Sequence, residues 1–333
     1  MFLSIIIPVY NLQEYIDDCL KSCLDQDFKD YEIICVNDGS KDNSAEILDQ
    51  YAKMHPQIMK VIHKENGGVS KARNIRLEHA TGKWVWFVDG DDYIAKNCVK
   101  VFAENLKDED DFILFDLDKG DESSNLPELK KEDLCSSKID YVDSFRAAAS
   151  KSYAGGAYSY WFKKDILERG NIRFDECMKY SEDVKFIFQY ELLAKKGGRL
   201  FDNVAYYYRV RQGSAMHSVD YEHQIYCMNN LTEIYNDAMQ QNPELHDVFL
   251  RKCLQAMQVV QFNLLFKIRN YARAREQLTQ WEKAGLYPYK VPKLKKIKRK
   301  RTTAGFKYRL FDMLKKFYGN KCMYLILCRI FCK

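Results

Sequence analysis

The chain has 333 residues, of which 47% are hydrophobic, 30% are charged and 14% are aromatic. This composition is typical of a folded protein with about two domains, and it excludes a disordered, fibrous or low-complexity chain. The net charge of +5 is mild for this length, although the basic residues are unevenly placed.

The first 116 residues alternate short apolar runs, rich in β-branched residues, with stretches of helical periodicity. This alternation is typical of βαβ units and predicts a largely parallel sheet flanked by helices. The predicted strands are Leu3–Val9, Tyr31–Val36, Met59–Ile62, Trp84–Val88 and Phe112–Leu117. The predicted helices run from about Glu14 to Gln26, Ser44 to Met54, Ser70 to Ala80 and Lys96 to Leu106. We therefore expect an α/β domain.

The next hundred residues are less regular. The polar stretch Asp118–Lys138 predicts a loop or an insertion. After it, the pattern predicts a strand at Tyr158–Phe162, a helix at Asp183–Lys195 and a tyrosine-rich strand at Asn203–Val210. These elements complete the first domain.

The pattern changes after residue 218. From Asp220 to Lys283 the apolar residues recur at helical spacing, with breaks near Pro243 and Asn270. We therefore predict a first domain of residues 1–218 and a helical C-terminal region of residues 219–333.

The C-terminal region carries a basic segment, Lys290–Arg301, with eight basic residues and no acid. Such a segment favours polyanions or an anionic lipid surface, and it is also consistent with a solvated linker. Beyond it, Phe306–Lys333 mixes basic and apolar residues as interfacial helices do. Because no nucleic-acid fold is recognisable, we expect peripheral membrane contact and no nucleic-acid partner.

The cysteines and the N-terminus indicate the compartment. Eleven cysteines are scattered along the chain without a Cys-x-x-Cys pair, and no signal peptide opens the sequence. No window reaches the roughly 18 apolar residues that a membrane span requires. We expect a protein of the reducing cytoplasm, or one that lies at the inner face of the cell membrane.

Two acidic clusters follow predicted strands, at Asn37–Ser40 and Asp89–Asp92. Ligands of open α/β sheets bind outside the carboxyl ends of the strands, so both clusters should lie on one rim. There Asp38 can accept hydrogen bonds from a base or a ribose, and Asp91 and its neighbours offer the oxygen ligands of Mg²⁺ or Mn²⁺. The alternative is that these acids cap the following helices.

Two further motifs carry polar chemistry. Glu65–Asn74 is a glycine turn followed by the start of a helix, with a basic residue in the first turn of that helix. This arrangement suits a nucleotide or phosphate, although such turns are also common in loops. The pair Glu182 and Asp183 opens a helix, where a carboxylate can take a proton from a hydroxyl. Acids at a helix start are also favoured by the helix dipole alone.

Taken together, five motifs resemble the family-2 glycosyltransferases of GT-A fold, over about residues 2 to 215. In chain order the motifs are Pro8–Asn11, Asn37–Ser40, Asn66–Asn74, Phe87–Asp92 and Ser181–Asp183. The resemblance implies an enzyme that uses a nucleotide-sugar donor, by family frequency a UDP-sugar. It also implies a glycan or lipid-linked acceptor in cell-surface polysaccharide biosynthesis.

The resemblance further implies where the nucleotide binds. The residues implied to line the nucleotide site are Pro8, Tyr10 and Glu14. Asp38 would meet the pyrimidine, Arg73 would lie near the same base, and Asp89 would face the ribose.

The same resemblance implies the chemistry of transfer. Asp91 would be the principal ligand of Mn²⁺ or Mg²⁺ at the diphosphate, with Asp92 and Asp89 beside it. Asp183 would be the catalytic base, supported by Glu182. The expected reaction is a single displacement with inversion, in which the metal neutralises charge on the leaving diphosphate.

The segment Tyr208–His217 resembles the family's closing segment. It implies phosphate contacts from Arg209, Arg211 and Ser214, and a metal contact from His217, which is otherwise a structural histidine.

One departure from the family lies at Ile75 and Arg76, where a small residue is common. Arg76 would either crowd the helix or add a phosphate contact.

The alternative to an enzyme is a catalytically inactive domain that binds a sugar nucleotide and acts as a scaffold in polysaccharide assembly. The presence of all the acids that a working site needs favours the enzyme.

Overall fold

The computed structural model describes residues 1–120, 128–129, 136–139, 156–178, 182–194, 196–209, 226, 229–230, 261, 270–283 and 321–331. The chain divides into two compact units, Met1–His217 and Ser218–Lys333. The roles predicted for the two regions remain predictions.

The first unit is built on one sheet, whose strand order is β3-β2-β1-β4-β8-β6-β9-β5, with β7 paired to β9. Strands β3, β2, β1 and β4 are parallel neighbours. Strand β8 lies antiparallel between β4 and β6, and β6 and β9 are again parallel. The described strands are β1 Leu3–Val9, β2 Tyr31–Asp38, β3 Met59–Lys64, β4 Trp84–Phe87, β5 Tyr93–Ile94, β6 Phe112–Gly120, β7 Ser136–Ile139, β8 Tyr160–Lys163 and β9 Gly198–Arg209. The α/β prediction is confirmed.

Helices cover both faces of this sheet. The described helices of the first unit are α1 Ile16–Leu24, α2 Ser44–Met54, α3 Val69–His79, α4 Cys98–Asn105, α5 Lys164–Arg169 and α6 Glu182–Leu193. Strand β1 is buried along its whole length because alternate side chains enter different cores. Ile5 and Ile7 pack with α1 and α4 residues, whereas Ile6 packs with residues of α3, α5 and α6.

Several elements differ from the sequence prediction. The predicted loop at Asp118–Lys138 is wrong at both ends, because β6 continues to Gly120 and β7 occupies Ser136–Ile139. Strand β7 is polar and mostly exposed, so its pairing with β9, and not its pattern, makes it a strand. The two-residue β5 and the six-residue α5 are too short for periodicity to reveal.

Strand β9 begins at Gly198, five residues before the predicted start at Asn203. The first residues of β9 pair in parallel with Phe112–Phe115 of β6. A Cβ atom at Gly198 would lie 2.4 Å from the Phe112 ring, so the glycine permits this close approach.

In the second unit the structure describes two helices, α7 Tyr271–Lys283 and α8 Lys321–Phe331. Asn270, where a break in the helical pattern was predicted, precedes α7, and its Oδ1 accepts a hydrogen bond from the Arg273 N–H at 3.1 Å. The break predicted near Pro243 and the basic segment Lys290–Arg301 lie outside the described residues. Among the residues that are described, none forms a helix with the length and apolar character that a membrane crossing needs.

Candidate active site

The loops that follow β1 and β2 are joined by hydrogen bonds at the carboxyl ends of the two strands. The Asn11 N–H donates to Ser40 Oγ at 3.0 Å, and the Lys41 N–H donates to Asn11 Oδ1 at 2.8 Å. The Leu12 N–H donates to Ser44 Oγ at 2.8 Å. These bonds make one rim from two loops that lie about thirty residues apart in the chain.

The three residues predicted to line the nucleotide site lie in β1 and in the loop that follows it. Pro8 is buried within β1, Tyr10 is 45% exposed, and Glu14 is exposed just before α1. Tyr10 and Glu14 are therefore accessible to a ligand, whereas Pro8 shapes the strand end.

Asp38 ends β2, and its buried carboxylate organises the glycine turn. Its two oxygens accept hydrogen bonds from the backbone N–H groups of Gly67 and Gly68, both at 2.9 Å. The Lys64 ammonium group also contacts Asp38. Gly68 has a φ of +88°, a conformation that residues with a side chain rarely adopt. Asp38 therefore fixes the start of α3, and its contact with a pyrimidine remains a prediction.

The acidic turn after β4 contains one carboxylate that is fully engaged within the protein. Asp92 is buried, and its oxygens accept hydrogen bonds from the Tyr206 hydroxyl at 2.5 Å and the Arg209 N–H at 2.8 Å. Burial, with the nearby charges of Asp91 and Asp89, raises the pKa of Asp92 to about 8. Asp89 and Asp91 are only partly buried. Asp92 thus anchors the turn that carries them.

Arg73 connects the acidic turn with the second acidic pair. Its Nη2 donates to Asp89 Oδ1 at 2.7 Å. Its Nη1 donates to Asp183 Oδ1 at 2.9 Å and to Glu182 Oε1 at 3.3 Å. The Arg73 side chain is 5% exposed. The structure thus brings Asp89 together with the pair Glu182 and Asp183, which lies more than ninety residues further along the chain.

The electrostatic environment of Asp183 suits proton transfer. Burial raises the pKa of Asp183, the Arg73 guanidinium opposes this shift, and the charges of Glu182 and Asp89 add to it. The result is a pKa of about 7. A carboxylate with a pKa near the working pH can both accept and release a proton.

Tyr158 lies close to the same acids, although the sequence analysis gave it no role. Its ring stacks on Tyr206 with centroids 4.9 Å apart. A Cβ atom at Gly156 would lie 2.1 Å from the Tyr158 ring, so the glycine makes room for it. Burial, Asp89 and Asp183 raise the pKa of the Tyr158 hydroxyl, which stays neutral. The sequence predicted Tyr158 as the first residue of a strand, whereas it lies in the 3₁₀ turn Ala157–Ser159 and β8 begins at Tyr160.

Arg209 ends β9, and its guanidinium is held within the protein. Nη2 donates to Asp18 Oδ2 at 2.8 Å. The guanidinium carbon lies 5.4 Å from the centroid of the Tyr15 ring and 5.5 Å from that of the Tyr93 ring. The predicted phosphate contact of Arg209 would therefore compete with Asp18 for this side chain.

Three predicted residues, Arg211, Ser214 and His217, lie outside the described residues. Within the ranges that the structure does describe, no group of three or more His, Cys, Asp or Glu side chains is arranged to hold a metal ion. The predicted metal site therefore remains a prediction.

Arg76 takes neither of its two predicted roles. Its side chain is buried, and Nη2 donates to the Cys35 carbonyl of β2 at 2.7 Å. Helix α3 continues without interruption to His79, so Arg76 does not crowd it. At this departure from the family, Arg76 is a core residue that links α3 to β2.

Comparison with known proteins identifies the family and several relatives. Residues 4–170, about half of the chain, match the model of Glycosyl transferase family 2. The chain is 34% identical over 186 residues to the uncharacterized glycosyltransferase EpsJ of Bacillus subtilis, covering 55% of this chain and 54% of EpsJ. It is 33% identical over 227 residues to the poly(ribitol-phosphate) beta-glucosyltransferase of Bacillus spizizenii, covering 66% of this chain and 34% of that protein. The chain thus spans about half of the first relative and about a third of the second.

A solved structure shares the fold. The crystal structure of S. aureus TarS 1-349 in complex with UDP-GlcNAc matches with a TM-score of 0.56 and 24% identity, covering 86% of this chain and 93% of that chain. This likeness confirms the predicted GT-A fold. The chain therefore belongs to glycosyltransferase family 2.

Proposed function

We propose that the protein is an inverting, metal-dependent glycosyltransferase that moves a sugar from a UDP-sugar to a hydroxyl of a glycan or lipid-linked acceptor. The observation that carries the proposal is the contact of Arg73 with Asp89 on one side and with Glu182 and Asp183 on the other. It joins acids of the predicted donor site to the predicted base.

The donor assignment rests on the rim beyond β1 and β2. Asp38 holds the glycine turn at the end of β2, and the exposed Tyr10 and Glu14 lie on the neighbouring loop. TarS, of the same fold, was crystallised with UDP-GlcNAc, which supports a uridine nucleotide here. The beta-glucosyltransferase relative acts on poly(ribitol-phosphate), which supports a cell-surface polymer as the acceptor.

The acidic turn fits a divalent cation that is held partly by the substrate. Mg²⁺ usually binds through one or two carboxylates together with phosphate oxygens, and Asp91 and Asp89 are the two partly exposed acids of this turn. Asp92 supports them, since both of its oxygens already accept hydrogen bonds. A bound Mg²⁺ or Mn²⁺ neutralises charge on the leaving diphosphate. Arg211, Ser214 and His217 remain proposed phosphate and metal contacts.

Asp183 acts as the base. Its carboxylate takes the proton of the acceptor hydroxyl while the hydroxyl oxygen attacks the anomeric carbon and the bond to the diphosphate breaks. A single displacement of this kind inverts the anomeric configuration. Glu182 shares the Arg73 guanidinium with Asp183 and supports it.

A panel of sugar nucleotides, incubated with Mn²⁺ or Mg²⁺ and a poly(ribitol-phosphate) acceptor, tests the function. We expect turnover of a UDP-sugar in the wild-type protein and no transfer by Asp183→Asn, with donor binding retained. Asp91→Asn should lose metal-dependent turnover without loss of the fold. Intact donor binding with no turnover of any sugar nucleotide by the wild type would instead identify a scaffold.

A further inference from the structure

We infer that Arg73 is a positioning residue that holds the base Asp183 against the donor side of the site. The inference rests on the proposed function, since it takes Asp183 as the base. It adds a role to the nucleotide contact that the family resemblance implied for Arg73.

The first observation is the geometry of the guanidinium group. One terminal nitrogen donates to Asp89, which follows β4, and the other donates to Asp183, which lies in the first turn of α6. The guanidinium group is a rigid planar fork, so it fixes the separation of the two carboxylates that it binds. The direct acid partners of Arg73 thus come from both sides of the proposed site.

A second observation shows that Arg73 itself cannot move freely. Its guanidinium carbon lies 5.1 Å from the centroid of the Phe174 ring. The next residue, Asn74, donates to the Phe174 carbonyl and accepts from the Phe174 N–H, both at 2.8 Å. Two consecutive residues of α3 therefore fasten the segment that precedes α6.

The negative charges of its three partners explain why the Arg73 guanidinium group is needed. Arg73 brings one positive charge to three carboxylates, and its side chain is 5% exposed. Without it, Asp89, Glu182 and Asp183 would repel one another in a partly buried site. Asp183 would then lose its fixed position relative to the donor. Displacement of a reacting group by about 1 Å can lower a rate about 100-fold.

Arg76 provides a matched control on the same helix. Like Arg73 it is a buried arginine, but its described hydrogen bond goes to the Cys35 carbonyl in the core. Arg76→Met should therefore lower thermal stability through loss of a buried arginine, while kcat per folded molecule stays unchanged. Arg73→Met also removes a buried guanidinium group. Any loss of kcat beyond that of Arg76→Met therefore comes from the lost contacts with Asp89, Glu182 and Asp183.

The test measures kcat for transfer, the Kd for the UDP-sugar and Tm in the two variants. We expect Arg73→Met to lower kcat about 100-fold, with a smaller change in Kd. Arg73→Lys should recover only part of the loss, because a single ammonium cannot reproduce the fork. It also serves as the test variant if Arg73→Met does not fold.

Three results would overturn the inference. A loss confined to Kd would make Arg73 a nucleotide contact, and a kcat equal to that of Arg76→Met would make its role structural. Full recovery of kcat in Arg73→Lys would show that charge alone matters. The variant Asp183→Asn distinguishes failure of the proposed base from failure of the role inferred for Arg73. If Asp183→Asn still transfers sugar, Asp183 is not the base and the inference fails with it. If Asp183→Asn is inactive while Arg73→Met is fully active, only the role inferred for Arg73 is wrong.

Discussion

Asp183 is the residue whose ionisation should control the reaction. A base must be unprotonated to accept the hydroxyl proton, and the pKa of Asp183 is raised to about 7. We therefore expect kcat/KM, which reports the free enzyme, to fall about tenfold per pH unit below pH 7 and to level off above it. A pH–rate profile at saturating metal measures this. A flat profile across neutral pH would contradict the prediction.

Asp38 and the acids Asp89–Asp92 were recognisable because they follow predicted strands, and strand ends are the usual ligand sites of such a sheet. Glu182 and Asp183 were recognisable as an acidic pair at a helix start. The contacts of Arg73 were not predictable. Helical periodicity predicts which face of a helix a residue occupies, but it does not predict which distant residues a long side chain contacts. Tyr158 was missed for a related reason. Its proximity to Asp89 and Asp183 depends on the space left by Gly156, which no local pattern indicates.

At the scale of elements, Glu32 links parts of the chain at the start of the parallel strands. Its buried carboxylate accepts hydrogen bonds from Ser4 of β1 at 2.8 Å, from Lys60 of β3 at 2.9 Å and from the Thr81 hydroxyl at 2.6 Å. Burial alone would raise the pKa of Glu32, but the hydrogen bonds from Thr81, Lys60 and Ser4 outweigh it. The pKa falls to about 2. The network thus depends on the ionised form.

Glu32→Gln should therefore lower the free energy of unfolding by about 3 kcal/mol at pH 7. A depressed folded-state pKa gives stability that is present above the unfolded pKa, here 4.5, and is lost as the pH falls through about 2. The difference in free energy of unfolding between Glu32→Gln and the wild type should therefore become smaller as the pH falls from 4.5 to about 2. Urea unfolding at neutral and acidic pH measures it. An equal difference at both pH values would show that charge is not the cause.

The sequence predicted well the elements that are long enough to show a clear hydrophobic pattern, such as β1, β2 and α2. The elements that it missed depend on partners far away in the chain. Strand β7 is polar and exists through pairing with β9, and β9 begins early because Gly198 lets the backbone approach Phe112. Tertiary pairing, and not local preference, sets these boundaries.

At the scale of the whole molecule, the distribution of charge bears on whether the protein binds a membrane. The chain carries +5 overall, and eight basic residues of Lys290–Arg301 exceed that net value. We propose that this segment contacts the anionic inner face of the cell membrane, where a lipid-linked acceptor would lie. A polybasic segment gains about 1 kcal/mol per basic residue near such a surface.

Replacing Lys295, Lys296, Lys298 and Arg299 with glutamate should abolish cosedimentation with anionic vesicles, because it lowers the net charge of Lys290–Arg301 from +8 to zero. Transfer to a soluble acceptor should be unaffected. Wild-type binding should weaken as salt is raised and should be absent with neutral vesicles. Binding of the wild type to an oligonucleotide but not to vesicles would reject the membrane assignment.

The anchoring of Asp92 has a consequence for chimeras between relatives. Because Asp92 accepts from the Tyr206 hydroxyl and from the backbone of Arg209, the acidic turn and the end of β9 form one hydrogen-bonded unit. A recombination junction placed between Asp92 and Tyr206 would take Asp92 from one parent and its hydrogen-bond partners from the other. A junction placed after Arg209 would keep them in the same parent, so C-terminal segments are better exchanged from that point onward.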